Sequence, residues 1–129
     1  MNEFSYPRQL RLLTGGDFKQ VFSRASIKVS DKHLLILACP NTLDHPRIGF
    51  VFSKKNIRLA VNRNRVRRII RESYRLNQYS LPNVDIVILA RKGLGDLENE
   101  EIQSLISRSW TRLIKRAKDK AKPKSSSHK

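Results

Sequence analysis

Apolar residues cluster in four short segments whose pattern is typical of β-strands. The segments cover residues 26–29, 33–39, 47–53 and 84–90. In the third segment Ile48, Phe50 and Phe52 alternate with other residues, as expected when one face of a strand packs on a core. The fourth segment, Val-Asp-Ile-Val-Ile-Leu-Ala, is almost continuously apolar, which indicates a strand buried on both faces. Together the segments predict one main sheet.

Three further segments repeat apolar residues every three or four positions, as amphipathic helices do. They cover residues 15–23, residues 58–78, and a last helix that Asp96 and the segment from Glu98 to Glu101 open and that continues to residue 117. Phe18, Val21 and Phe22 share one face of the first helix. Trp110 lies within the apolar stripe of the last helix, and we interpret it as a core residue.

The order of these elements, α-β-β-β-α-β-α, indicates an α+β fold with one main sheet. The length of 129 residues suits a single domain, which we predict over residues 1–117. Residues 1–13 contain Pro7 and are expected to form an extended arm. Residues 118–129 are rich in Lys and Ser, and we expect a basic, disordered tail there.

The second helix is predicted to have an apolar face and a cationic face. When each residue advances the helix by about 100°, one side carries Val66, Ile69, Ile70 and Tyr74. The opposite side carries Asn64, Arg68, Arg71 and Arg75, with Arg65 and Arg67 flanking it. Glu72 follows Arg68 by four residues and precedes Arg75 by three, so it is expected to contact both.

Charge is concentrated in the same region of the chain. The whole sequence has 27 Lys and Arg against 11 Asp and Glu, a formal net charge of +16. Residues 54–78 contain nine of the basic residues, seven of them Arg, against Glu72 alone, so half of the net charge lies there. Arginine binds phosphate in a bidentate manner and stacks on bases. The distribution therefore predicts a nucleic-acid partner, with an anionic membrane surface or a merely solvated helix face as alternatives.

No arrangement of residues predicts an active site carried by the protein itself. His33, His45 and His128 are scattered, without the spacing of a metal site or a catalytic triad. Cys39 ends an apolar strand and is interpreted as a small core residue. No apolar run approaches the roughly 20 residues of a membrane span, and no secretory signal is recognisable. We therefore expect a cytoplasmic protein without a metal site of its own.

The second helix and the strand end before it contain a specific motif. It comprises Ser53-Lys54-Lys55-Asn56, Ala60-Val61-Asn62-Arg63-Asn64-Arg65-Val66-Arg67-Arg68 and Arg71-Glu72-Ser73. Other matching segments are Leu12-Leu13-Thr14, Asp17-Phe18, Val21-Phe22, Pro46-Arg47-Ile48-Gly49 and Asp85-Ile86-Val87-Ile88-Leu89-Ala90. These residues resemble the RNR motif and flanking segments of the bacterial ribonuclease P protein subunit, especially its proteobacterial members.

The resemblance implies a small α/β sandwich in which the basic helix forms an unusual left-handed β-α-β crossover. It also implies an auxiliary subunit of an endoribonuclease, with two RNA partners: the ribonuclease P catalytic RNA and precursor tRNA. In this family the RNA removes the 5′ leader of precursor tRNA, using Mg²⁺ held mainly by the RNA. The protein subunit is expected to grip the leader, broaden the substrate range and lower the magnesium demand.

Roles for individual residues follow from the same resemblance. The residues expected to contact the catalytic RNA are Lys54, Lys55, Arg58, Asn62, Arg63, Asn64, Arg65, Arg67, Arg68 and Arg71. Phe18 and Phe22 match aromatic residues of the cleft for the single-stranded leader, although a purely structural role in the core is an equal alternative. Ile36 stands where some members have an aromatic residue, and it is expected to supply apolar contact to the leader.

Two other classes of function remain as alternatives. A ribosomal or other structural RNA-binding protein, with no link to an enzyme, would also be small and basic. A DNA-binding module is disfavoured because helix-turn-helix domains place two helices in tandem, whereas strands bracket this basic helix. Membrane binding would require bulky apolar residues beside the arginines, and here the apolar side of the helix is needed for the core.

Overall fold

A computed structural model describes residues 15–42 and 45–121, and these residues contain three α-helices and one four-stranded sheet. In chain order the elements are α1 (Gly15–Arg24), β1 (Ile27–Ser30), β2 (Leu34–Pro40), β3 (Arg47–Val51), α2 (Ala60–Asn77), β4 (Val84–Ala90) and α3 (Asn99–Ala121). A single 3₁₀ turn, Leu94–Asp96, precedes α3. The predicted α+β class and the predicted order of elements are confirmed.

Most predicted boundaries differ from the structure by one or two residues, and the ends of β3 and α3 need correction. Strand β3 ends at Val51 rather than at residue 53, because residues 53–57 form a turn in which the N–H groups of Asn56 and Ile57 donate to Ser53 O. Helix α3 continues to Ala121, so residues 118–121 are helical and do not belong to a disordered tail. Lys and Ala are good helix formers, which lets α3 extend beyond its last apolar residue. The predicted arm at 1–13 and the rest of the predicted tail at 122–129 lie outside the described residues.

The sheet has the strand order β1-β2-β4-β3. Strands β1 and β2, and β2 and β4, pair antiparallel, whereas β3 and β4 pair parallel. Parallel neighbours cannot be joined by a tight turn, and the connection from β3 to β4 contains α2. The basic helix therefore forms the predicted β-α-β crossover, while the left hand of that crossover remains a prediction.

A partly buried ion pair joins the two parallel strands near their N-terminal ends. Arg47 lies opposite Asp85 in the register, and its Nε and Nη2 donate to the two carboxylate oxygens at 2.9 and 2.8 Å. Asn41 Nδ2 donates to the same carboxylate at 2.9 Å. Asp85 is only 3% exposed, and a buried carboxylate requires such partners. The sequence shows Asp85 only as a polar interruption of an apolar strand.

The larger core lies between the sheet and the helices α2 and α3. The sheet contributes alternate residues to this face, including Val29, Ile36, Ile48, Ile86 and Ile88. From α2 come Val66, Ile70 and Tyr74, and from α3 come Ile102, Leu105, Ile106, Trp110 and Leu113. The predicted core position of Trp110 is confirmed, since it is 2% exposed and its Nε1 donates to Ser73 Oγ at 2.9 Å.

Helix α1 covers part of the opposite face of the sheet. Val21 of α1 is fully buried against Cys39 and Val87, and Phe18 packs beside them. The helix has only ten residues, which leaves residues of β2, β3 and β4 on this face partly accessible. The sheet thus has one closed face and one partly open face.

The burial of α2 predicts that substitutions of two of its side chains have different effects on the free energy of unfolding. Ile70 is fully buried, so we expect Ile70→Ala to lower the free energy of unfolding by roughly 2–5 kcal/mol. Leu76, on the same helix, is 62% exposed, and Leu76→Ala should change stability by less than about 0.5 kcal/mol. Urea titrations followed by circular dichroism measure both values. Equal midpoints for Ile70→Ala and wild type would contradict the packing of α2 on the sheet.

Candidate nucleic-acid interface

The outer side of α2 and the turn before it form a cationic surface, which we call the arginine surface. It comprises Lys54, Lys55, Arg58, Asn62, Arg63, Asn64, Arg65, Arg67, Arg68 and Arg71. Within it Lys54, Lys55, Arg58 and Arg68 are exposed. Glu72 accepts hydrogen bonds from Arg75, which lowers the pKa of its carboxyl group, whereas the expected contact of Glu72 with Arg68 is not made in the structure. The exposed cations of this surface are therefore available to a polyanion.

The turn that carries the two lysines is fixed to the sheet. Asn56 Nδ2 donates to Ala90 O at 2.9 Å, which joins the turn to the end of β4. Ile57 is buried in the main core directly after the turn. Lys54 and Lys55 thus project from an anchored backbone, which lowers the entropy lost when they bind a ligand.

The start of α2 adds to the positive potential of this surface. Leu59 occupies the N-cap position without a side-chain cap, and the first turn of the helix contains no acidic residue. The helix dipole places partial positive charge at this end. Arg63 folds back from the first turn, and its Nη1 donates to the carbonyl oxygens of Ile57 and Arg58 at 2.9 and 3.0 Å. Arg63 therefore also has a structural role in the predicted binding motif.

Arg65 connects α2 to the segment that leads into α3. Its Nη2 donates to Gly95 O at 2.9 Å and to Leu97 O at 3.1 Å, and its Nη1 donates to Asn99 Oδ1 at 2.6 Å. A Cβ atom at position 95 would lie 2.8 Å from Ile57 Cγ2, so a larger residue than glycine there would have to displace the Ile57 side chain. The sequence predicts an RNA contact for Arg65 but does not reveal this structural role.

Arg67 and Arg71 lie over aromatic rings at the edge of the sheet. Arg67 Cζ is 5.5 Å from the ring centroid of Phe52 and 6.0 Å from that of Phe50, and Arg71 Cζ is 6.0 Å from Phe50. Asn64 Oδ1 accepts a hydrogen bond from Arg67 Nη1 at 2.9 Å. Burial lowers the pKa of Arg67, and the neighbouring charges of Arg71 and Arg63 lower it further. The sequence shows the alternation of the two Phe residues but not their contact with these arginines.

The partly open face of the sheet presents a second, apolar surface beside α1. Phe22 is 48% exposed, and Phe18, one turn earlier, is half-buried. Alternate strand residues Leu35, Leu37 and Leu89 are half-buried on this face, and Val51 is 36% exposed beside Leu89. We call Phe18, Phe22, Leu35, Leu37, Val51 and Leu89 the α1-side patch.

The expected position of Ile36 at the leader cleft is wrong. Its side chain is fully buried and belongs to the core beneath α2 and α3. Successive residues of a strand point to opposite faces of the sheet, so its neighbours Leu35 and Leu37 occupy the partly open face instead. The β2 sequence is continuously apolar from Leu34 to Cys39, so no alternation in the sequence could have distinguished the residues of one face from those of the other.

Cys39 fits its predicted role as a core residue. Its side chain is buried beneath α1, and burial, followed by the charge of Asp85, raises the pKa of the thiol. Because the thiolate is the reactive form of cysteine, this environment disfavours nucleophilic chemistry. Across residues 15–42 and 45–121, no group of three or more His, Cys, Asp and Glu side chains is arranged to hold a metal ion. No helix in this part of the chain is long and apolar enough to span a membrane.

The contacts of Arg65 generate a stability prediction. Arg65→Ala removes three hydrogen bonds from a charged group, so we expect it to lower the free energy of unfolding by roughly 1–3 kcal/mol. Arg68→Ala removes the same charge from an exposed position of the same helix and should change stability by less than about 0.5 kcal/mol. Chemical denaturation of both variants tests the difference. A loss in Arg65→Ala no larger than that in Arg68→Ala would show that the Arg65 contacts do not stabilise the fold.

Comparison with known proteins identifies relatives of the whole described domain. The family model for ribonuclease P matches residues 6–116. The ribonuclease P protein component of Chromohalobacter salexigens is 52% identical over 115 residues, which cover 89% of this chain and 90% of the relative. The corresponding protein of Azotobacter vinelandii is 53% identical over 110 residues, covering 85% of each chain.

Solved structures agree with this result. The ribonuclease P protein of Thermotoga maritima superposes with a TM-score of 0.70 at 26% identity, covering 79% of this chain and 96% of that one. A mutant of the Staphylococcus aureus protein, described as defective in mRNA degradation activity, gives a TM-score of 0.74 at 28% identity, covering 86% and 90%. The predicted family is thus confirmed, and the chain belongs to the ribonuclease P protein family, the protein component of the ribonucleoprotein endoribonuclease that processes tRNA.

Proposed function

We propose that the two faces of the sheet divide the two RNA molecules of the ribonuclease P reaction between them. The arginine surface on α2 docks on the catalytic RNA, and the α1-side patch binds the single-stranded 5′ leader of precursor tRNA. The observation that carries this proposal is that the exposed cations Lys54, Lys55, Arg58 and Arg68 lie on α2 and the segment before it, whereas the exposed ring of Phe22 lies with α1 on the opposite face of the sheet.

The arginine surface has the chemistry that a folded RNA requires. Lys54, Lys55, Arg58 and Arg68 are exposed and can neutralise phosphate groups without first breaking an internal ion pair. Each phosphate contact releases counterions, which makes such binding strongly dependent on salt. Leu59 and Val61 are also exposed here, but four exposed cations make charge the main chemistry of this surface, as expected for docking along an RNA backbone.

The α1-side patch has the chemistry that a single strand requires. Unpaired bases stack on aromatic and apolar side chains with little sequence preference, and Phe22 is exposed enough to accept such a contact. Lys28 of β1 is exposed and lies opposite Leu37 in the register, so it is on the same face of the sheet as the α1-side patch. Lys19 is exposed on α1. Stacking groups and nearby cations contact bases and phosphates that every leader has. This surface can therefore bind leaders of many sequences, which supports a broad substrate range.

In this proposal the catalytic RNA carries out the chemistry, with Mg²⁺ held mainly by the RNA. The protein lowers the magnesium demand because its cations neutralise part of the phosphate repulsion between the two RNA molecules. We assign it no membrane partner and no DNA partner, since the apolar side of α2 is buried in the core and strands bracket this helix. The reaction is expected to take place in the cytoplasm.

A cleavage assay tests the proposed function directly. Precursor tRNA is incubated at low magnesium with a bacterial ribonuclease P RNA alone, with this protein alone, and with both together. We expect cleavage at the mature 5′ end only in the mixture. Tight RNA binding without any gain in cleavage would favour a structural RNA-binding protein, and cleavage by the protein alone would show that it contains its own active site.

Removing one exposed cation from α2 tests docking on the catalytic RNA. We expect Arg68→Ala to weaken binding to the catalytic RNA and to reduce the slope of log affinity against log salt by about 0.7–0.9. The matched control is Lys115→Ala, which removes an exposed charge from α3. Filter binding across a salt series gives both quantities. An unchanged slope for Arg68→Ala would remove this residue from the interface.

Removing an exposed ring tests leader binding. We expect Phe22→Ala to weaken binding of precursor tRNA to the holoenzyme by roughly fivefold to a hundredfold, the loss of stacking with one base. Binding of mature tRNA, which has no leader, should stay at the wild-type value. Phe22→Tyr keeps an aromatic ring at this position and serves as the control. Equal losses for precursor and mature tRNA would contradict the assignment of Phe22 to the leader.

A further inference from the structure

We infer that Phe50 and Phe52 are positioning residues that hold the guanidinium groups of Arg67 and Arg71 in place for RNA phosphate. The inference rests on the proposed docking of α2 against the catalytic RNA and adds to it a device supplied by the sheet. Phe50 lies in the edge strand β3, Phe52 follows that strand directly, and α2 provides the two arginines.

The geometry of the four side chains suits this role. The two rings meet edge to face, with centroids 5.3 Å apart and planes at 64°. Phe50 lies opposite Ile88 in the sheet register, and both Phe50 and Phe52 pack against the main core. Their positions are therefore fixed by the fold. Arg67 and Arg71 are one helical turn apart, and both have Cζ 6.0 Å from the ring centroid of Phe50, at the outer limit of a cation–π contact.

The charges in this cluster are not balanced by the protein. Among the described residues no carboxylate forms an ion pair with Arg67 or Arg71. Arg71 Nε is buried and has no hydrogen-bond partner among the described residues, although a buried donor of this kind is normally satisfied. The pKa of Arg67 is lowered by burial and by the nearby cations Arg71 and Arg63. A phosphate group would accept hydrogen bonds from the terminal N–H groups of the two guanidinium groups and relieve the repulsion between them.

The rings account for the approach of two like charges. Flexible arginine side chains on a helix surface would otherwise separate into water, which screens their charge and gives them more rotamers. Attraction to the faces of fixed rings holds the guanidinium groups close to the sheet edge. Part of the entropy cost of ordering two arginines is therefore met during folding rather than during RNA binding.

Substitutions that remove the ring without removing the charge test the inference. We expect Phe52→Leu to weaken binding of the catalytic RNA by roughly three- to tenfold, the equivalent of one cation–π contact. Phe52→Tyr keeps the ring and should bind as wild type. Arg67→Lys keeps the charge, leaves the core untouched and loses the planar group that stacks, so it should lose affinity to a similar extent as Phe52→Leu.

The double variant distinguishes positioning from a purely structural effect. If Phe52 acts through Arg67, the combination of Phe52→Leu with Arg67→Lys should bind no more weakly than either single variant. A second readout is the NMR signal of the Arg67 Nε–Hε group in the free protein, which a stacked ring shifts upfield and which should move downfield in Phe52→Leu. Thermal unfolding of each variant controls for loss of the fold.

Two results would overturn the inference. Wild-type affinity in Arg67→Lys and Phe52→Leu would show that the rings merely lie beneath the arginines. Fully additive losses in the double variant would show that the ring and the guanidinium act independently. A failure of the proposed docking gives a different result. In that case the wild-type protein binds the catalytic RNA without the salt dependence that Arg68→Ala is expected to reduce.

Discussion

The placement of the arginine surface and the α1-side patch depends on the parallel pairing of β3 with β4. Parallel neighbours require a connection that crosses the sheet, and α2 provides it. The crossing places the apolar side of α2 on the sheet face that carries Ile48 and Ile86, so its arginines are left on the outside. The ion pair between Arg47 and Asp85 joins opposite residues of the same two strands. Helix α1 then packs on the face that α2 leaves free.

Much of the fold could be predicted from the sequence because its strongest signals are periodic. The apolar run at 84–90 matches β4 residue for residue, and the helical period of Val66, Ile70 and Tyr74 gives the buried side of α2 correctly. Boundaries were less predictable. Apolar periodicity ends near residue 117, whereas α3 continues to Ala121 because backbone hydrogen bonds and helix propensity do not require buried side chains.

The candidate site was predictable in composition but not in its contacts. Charge density marks α2 as the candidate binding helix. The sequence does not show that Arg65 bonds to the segment before α3, because that contact spans 30 to 34 residues. The error at Ile36 has a different cause. Resemblance to a family identifies position 36 in the chain, but it does not show to which face of the sheet the side chain points. That face depends on the strand register, and a shift of one residue moves every side chain of the strand to the opposite face.

Site-specific photo-crosslinking in the complete complex tests most directly the proposal that one RNA binds on each face. Phe22 and Arg68 are replaced, in separate proteins, by a photo-crosslinking amino acid, and each protein is assembled with catalytic RNA and precursor tRNA that carry different labels. We predict that position 22 crosslinks to the leader of precursor tRNA and that position 68 crosslinks to the catalytic RNA. Crosslinking of both positions to the same RNA, or an exchange of partners between them, would contradict the account.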